Sequence, residues 1–147
     1  KINANNRNNY SIKKYKDLDC LIINESEIRN ELRDKFSNIE KIILKITKEL
    51  NLKNCLVTMG KNGSVCYSKK YFKFYYSQAY ATNIVDRVGA GDVLMAFFST
   101  ALSLNVNINT SVFISSIAAA ISVESLANSF VITRKSLLNR IKYLLEI

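Results

Sequence analysis

The sequence predicts an α/β domain built on a mainly parallel sheet. Three observations carry that reading. Short apolar runs of strand length alternate with a helical pattern in the first half, and three longer helical patterns fill the last third. In addition, 48% of the 147 residues are apolar. Strands that alternate with helices at first, with helices dominating the end, point to crossover units and parallel pairing. A chain of this length buries roughly 70% of its unfolded surface and needs no covalent staples. Charged residues make up 22%, an ordinary globular share that argues against disorder.

Residues 1–17 are polar and Asn-rich without a sustained period, and are expected to be a linker or the end of a missing segment. The first residue is Lys, so a piece of a longer protein is expected, with 18–147 as its globular part. Leu18–Ile23 is a short apolar run, read as a buried strand that ends in the polar tip Asn24-Glu25-Ser26-Glu27. Phe36, Ile39, Ile43, Ile46 and Leu50 recur at spacings of three or four, the mark of an amphipathic helix. Cys55–Met59 is a second buried strand, followed by the turn Gly60-Lys61-Asn62-Gly63. Ser64–Ser68 and Tyr71–Tyr76 read as a hairpin. Asp92–Leu104 is apolar on nearly all sides and is expected to lie deep. Thr110–Leu126 is a helix carrying the small run Ala118-Ala119-Ala120, which permits close packing. Arg134–Leu145 is a helix with Leu137, Leu138, Ile141, Leu144 and Leu145 on one face.

Composition excludes several functions. The longest apolar stretches, Val93–Leu104 and Val112–Val123, are interrupted by Ser or Thr and separated by Asn105–Thr110. Neither reaches the roughly 20 residues of a membrane span, and no basic-then-apolar leader opens the chain. Three cysteines without metal-type spacing, and no histidine, leave no zinc-type site. Cys20 and Cys55 sit in apolar runs as core residues, which favours a reducing, cytoplasmic setting. Without histidine, acid–base chemistry must fall on Asp, Glu, Lys, Tyr or Cys. The net charge of +9 comes from scattered lysines in a chain rich in Asn, Ile and Tyr and free of Pro and Trp. That bias reads as A/T-rich coding and not as a nucleic-acid surface, which would want a patch or stripe. Tyr71–Tyr76 interleaves bases and aromatics but is read as an aromatic strand.

The chemistry concentrates in Asp86-Arg87-Val88-Gly89-Ala90-Gly91-Asp92, which runs straight into the apolar helix. Gly89 and Gly91 around Ala90 let the backbone turn sharply and bring its N–H groups close to a ligand. A helix starting there adds unpaired first-turn N–H groups and the positive end of its dipole, an anion site suited to phosphate. Asp92 would then stand beside bound phosphate, where a carboxylate can accept the proton of an attacking hydroxyl. A plain Gly-rich turn with Asp92 as a helix-start residue accounts for the same spacing. Spacing alone does not choose between them.

Asp86–Asp92 resembles the D-T-T-G-A-G-D signature of the ribokinase-like (PfkB-type) carbohydrate kinases. Asn24-Glu25-Ser26-Glu27 is similar to that family's N-x-x-E, and Thr58–Gly63 to its T-x-G-x-x-G. Ile117–Val123 resembles its small-residue helix beside the adenine. The four matches fall in order over Asp19–Ile147, and Asn24–Arg29 with Ala127-Asn128-Ser129…Leu137-Leu138 looks most like heptose-phosphate kinases. The resemblance implies a three-layer ribokinase-like fold, of which this chain would carry the C-terminal half. It also implies ATP-dependent phosphoryl transfer to a sugar or sugar phosphate, with Mg²⁺. Asp92 would be the base, and the N–H groups of Gly89, Ala90 and Gly91 would stabilise the transferring phosphoryl group. Asn24 and Glu27 would organise Mg²⁺ and its waters. Thr58, Gly60 and Gly63 would border the nucleotide, with Ser116 and Asn128 on its adenine side.

Departures qualify that expectation. Arg87 and Val88 replace two threonines, so hydroxyl contacts are lost; Arg87 is read either as a bidentate partner of a nucleotide or substrate phosphate or as a solvent-facing charge. Ala127 replaces a usual glycine. The family's N-terminal half, with the lid and most sugar contacts, has no counterpart here, which predicts an open sheet edge that pairs with the missing half or a second copy. The alternative is a non-catalytic nucleotide-binding or interaction module derived from a kinase half.

Overall fold

A computed structural model of the chain describes residues 2–4, 12–125 and 131–146. They fall into two compact units, Lys1–Tyr76 and Ser77–Ile147. The first unit carries a five-stranded sheet in the order β1 (Ile2–Ala4), β2 (Cys20–Asn24), β3 (Asn54–Thr58), β4 (Ser64–Ser68) and β5 (Lys73–Ser77). β1 and β3 both pair parallel to β2, and β4 runs antiparallel to β3. β1 falls within the stretch read as a linker or segment end. Its pairing partner is distant in sequence, so local polarity gave no sign of it.

Register explains the core. Leu21, Cys55 and Tyr67 stand in one row across β2, β3 and β4, and Ile23, Val57 and Val65 in another. Both rows share one face, because strand side chains alternate. That face packs with Ile28, Ile42, Ile43, Ile46 and Leu50 from the helical side. The intervening residues Cys20, Ile22, Leu56 and Cys66 are also buried. Burial on both faces is why these strands read as unbroken apolar runs.

Two helices cover the core face. α1 (Glu25–Leu32) replaces the expected polar tip. Ile28 is its one fully buried residue, so no periodic apolar stripe announced it. α2 (Ile39–Glu49) follows the predicted spacing, but it starts behind Asn38, whose Oδ1 accepts from the Glu40 N–H at 2.8 Å. Phe36, expected on its buried face, precedes the cap and is 97% exposed. Replacing Ile46 with Ala should therefore cost about 2–5 kcal/mol. Phe36→Ala should stay within about 0.5 kcal/mol of the parent. Urea unfolding of both variants measures the contrast.

The second unit holds α3 (Ala90–Ser103), α4 (Ile108–Val123) and α5 (Arg134–Leu145). α3 packs chiefly against α4. It buries the single stripe Leu94, Phe98 and Ala101, spaced four and three apart. The expected deep burial of this helix is corrected: Met95 and Phe97 are half-buried, and Gly91, Asp92, Ala96 and Thr100 are exposed. One partner helix covers one face, whatever the composition of the others. α4 buries much more, including Val112, Ile117, Ala118 and Ala120, where small side chains allow close approach. Tyr80 meets Phe113 edge-on, with ring centroids 5.5 Å apart. α5 has the predicted bounds but only part of the predicted face is covered, with Leu137, Ile141 and Leu144 half-buried and Leu138 and Leu145 exposed. Among the described residues no helix is long and apolar enough to cross a membrane.

Candidate active site

The candidate residues fall into two sets, each built within one unit. In the first unit Asn24 and Thr58 end β2 and β3 and are register partners. They stand beyond the carboxyl ends of parallel strands, where ligands of open α/β sheets gather. Asn24 is also the N-cap of α1. Its Oδ1 accepts from the Glu27 N–H at 2.8 Å and from the Ser26 hydroxyl at 2.7 Å. Glu27 Oε2 in turn accepts from the Asn24 N–H at 3.4 Å. The N-x-x-E spacing is therefore a capping box, a structural role that suffices to explain it.

Past Thr58 the chain makes a 3-10 turn at Gly60–Asn62. Met59 N–H donates to the Gly63 carbonyl at 2.8 Å and closes it. Gly60 and Gly63 have φ of +57° and +82°, the left-handed half that favours glycine. This turn thus continues from the strand end that carries Thr58.

In the second unit the chain is bent stepwise into α3. Asp86 Oδ1 accepts from the Val88 N–H at 2.9 Å, an Asx turn. Gly89 then takes φ +83° and caps the helix, and its carbonyl accepts from the Val93 N–H at 3.0 Å. The N–H groups of Ala90, Gly91 and Asp92 have no acceptor within the helix and form the positive end of its dipole. A Cβ added at Gly91 would meet nothing within 4 Å, so there is room beside the backbone at that position. Asp92 is the third residue of α3 and is exposed. Arg87 and Val88 are exposed as well. Ser116 lies buried midway along α4, the helix packed on α3. Asn128 and Ala127 lie outside the described residues.

Electrostatics narrows the chemistry. Burial pushes the Cys20 and Cys66 thiols well up and Cys55 up to about 12. All three are free and buried, so none is a nucleophile at neutral pH. Among the described residues no three His, Cys, Asp or Glu side chains gather to hold a metal. Asn24 and Glu27 offer oxygen donors only. That suits Mg²⁺, which keeps most of its waters and takes one or two carboxylates beside substrate phosphates.

Sequence reading missed Thr82, Glu124 and Arg140. Glu124 Oε1 accepts from the Thr82 N–H at 2.7 Å and hydroxyl at 3.0 Å, and pairs with the Arg140 guanidinium. Burial opposes ionisation of Glu124, yet the Thr82 donors and Arg140 together outweigh it and hold the carboxyl below its ordinary range. These residues lie 16 and 42 positions apart, beyond the reach of any local pattern.

Comparison with known proteins supplies the family and the fold. The profile described as pfkB family carbohydrate kinase matches residues 11–133. Bifunctional protein HldE of Blochmanniella floridana is 34% identical over 122 residues, which cover 80% of this chain and 25% of that protein. The crystal structure of ribokinase from Thermotoga maritima matches with a TM-score of 0.73 at 32% identity, over 84% of this chain and 42% of that one. Arabidopsis thaliana ribokinase, solved with ribose and ATP, matches with a TM-score of 0.75 at 27% identity, over 84% and 41%. The chain thus spans well under half the length of the relatives it matches. The fold is ribokinase-like, and on the match across residues 11–133 the chain belongs to the pfkB family of carbohydrate kinases.

Proposed function

We propose that this chain carries the nucleotide side and the proton acceptor of an ATP-dependent kinase acting on a hydroxyl of a sugar or sugar phosphate. The observation that carries the reading is the left-handed Gly89 cap, which opens α3 with N–H donors that have no acceptor within the helix and with room beside Gly91. Asp92 stands on that same turn and takes the proton of the attacking hydroxyl. The N–H groups of Gly89, Ala90 and Gly91 offset charge on the transferring phosphoryl group. Bound Mg²⁺ would neutralise the nucleotide phosphates, and the Glu27 and Asn24 oxygens would order its waters. Thr58, Gly60 and Gly63 border the nucleotide, Arg87 forks onto a phosphate, and Ser116 and Asn128 flank the adenine. The Asn24–Arg29 stretch favours a heptose phosphate as acceptor, and three buried free thiols suit the reducing cytoplasm.

Calorimetric titration of the chain with MgATP tests the reading. Transfer of labelled γ-phosphate to a panel of sugars and sugar phosphates, in the full-length protein, completes the test. Saturable binding followed by transfer is expected. A folded chain that binds no MgATP would end the proposal. Exposed Arg87 and Val88, where the family has two hydroxyls, favour a second reading. In it the chain is a non-catalytic nucleotide-binding or interaction module, which binds MgATP without transfer.

A further inference from the structure

The stretch 78–89 that leads into α3 has no helix or strand of its own, yet the C-terminal end of α4 pins it at two adjacent points. The Val123 carbonyl accepts from the N–H groups of Val85 at 2.8 Å and Asp86 at 3.0 Å. One residue on, the Glu124 carboxylate takes both donors of Thr82 and meets Arg140 from α5. The Glu124 and Arg140 side chains are only 22% and 18% exposed, so their charges attract in partial shelter from water. Among the described residues, Arg140 Nε is buried without a hydrogen-bond partner, and this carboxylate is the guanidinium's charge partner.

We propose that Glu124 is a positioning residue: with Thr82 and Arg140 it clamps the loop that delivers Asp86–Asp92, and so sets where the Gly89–Gly91 N–H groups point. The functional half of this inference rests on the reading of that turn as the phosphate site. Glu124 caps the C-terminus of α4 and contributes nothing to the buried stripe of that helix. Removing it should loosen the loop and spare the helices. Glutamine keeps an acceptor for Thr82 but surrenders the charge that holds Arg140, so it should act as a partial substitute.

Amide hydrogen exchange and MgATP titration of the full chain, as Glu124→Ala and Glu124→Gln, test the clamp. In Glu124→Ala, exchange at Thr82, Val85 and Val88 should quicken about ten- to hundred-fold, the effect of losing a hydrogen bond to a charged group. Exchange at Ile117 in α4 should not change. The MgATP dissociation constant should rise about two- to thirty-fold, with Glu124→Gln between the alanine variant and the parent. Unchanged exchange at Val85 and Val88 overturns the clamp, as does a parallel rise at Ile117, which would mark general destabilisation. Faster loop exchange with unaltered MgATP affinity overturns the link to phosphate binding. If the parent chain itself binds no MgATP, the phosphate-site reading has failed, and the exchange pattern alone still sustains or overturns the clamp.

Discussion

Replacing Asp92 with Asn in the full-length protein should lower phosphoryl transfer by about 10²–10⁴-fold, the usual share of a positioned general base. The amide matches the carboxylate in shape and is tolerated in a first helical turn. What it loses is the ability to accept a proton and the charge favoured by the dipole, worth about 0.3–1 kcal/mol of stability. Asp92 lies outside the buried stripe of Leu94, Phe98 and Ala101, so packing is untouched. MgATP affinity should stay within a few-fold, because a carboxylate beside polyphosphate adds no attraction. Separate measurement of turnover and of the MgATP dissociation constant gives the split. Turnover close to that of the parent would move the base elsewhere and leave Asp92 as a helix-start carboxylate.

What could be read in the sequence follows from the range of the interactions involved. β3, the Gly60–Gly63 turn, β4 and α5 were legible because each rests on local chemistry: an unbroken apolar run, glycines at positive φ, or a 3.6-residue stripe. α1 was hidden by its single buried residue, although its capping box lay in plain view at Asn24 and Glu27. The same two residues matched a motif tied to metal binding, and the cap is the simpler cause of their spacing. Phe36 fitted the period of α2 but stands two residues before the Asn38 cap, so its position matched the stripe and its backbone did not. α3 shows that apolar composition is not burial, since Met95 and Phe97 remain half-buried. The turn Asp86–Asp92 was legible from its glycines, whereas the Asx turn that Asp86 closes on Val88 emerged only in the structure. The clamp through Glu124 was not, because Thr82 and Arg140 lie 42 and 16 positions from it and meet it only in the tertiary structure.

The two glycines of that turn separate what the backbone needs from what a ligand needs. Gly89 sits at φ +83°, where a side chain costs about 1–2 kcal/mol. Gly89→Ala should therefore unfold at lower denaturant, whether or not nucleotide is present. Gly91 has no such demand: it lies inside the first turn of α3, and a Cβ there meets nothing within 4 Å. For the fold alone, Gly91→Ala should be neutral or stabilising by up to about 1 kcal/mol, since alanine is the better helix former. Catalysis should move the other way. A methyl group on the turn that carries the N–H donors would hold the phosphoryl group off, and one lost oxyanion donor costs about 2.7–4 kcal/mol, or 10²–10³-fold in rate. A variant at least as stable as the parent yet nearly inactive is thus the expected result. Its cause would have to be a group that approaches the backbone at Gly91. If Gly91→Ala is both stable and fully active, nothing approaches there, and the head of α3 is an ordinary helix start.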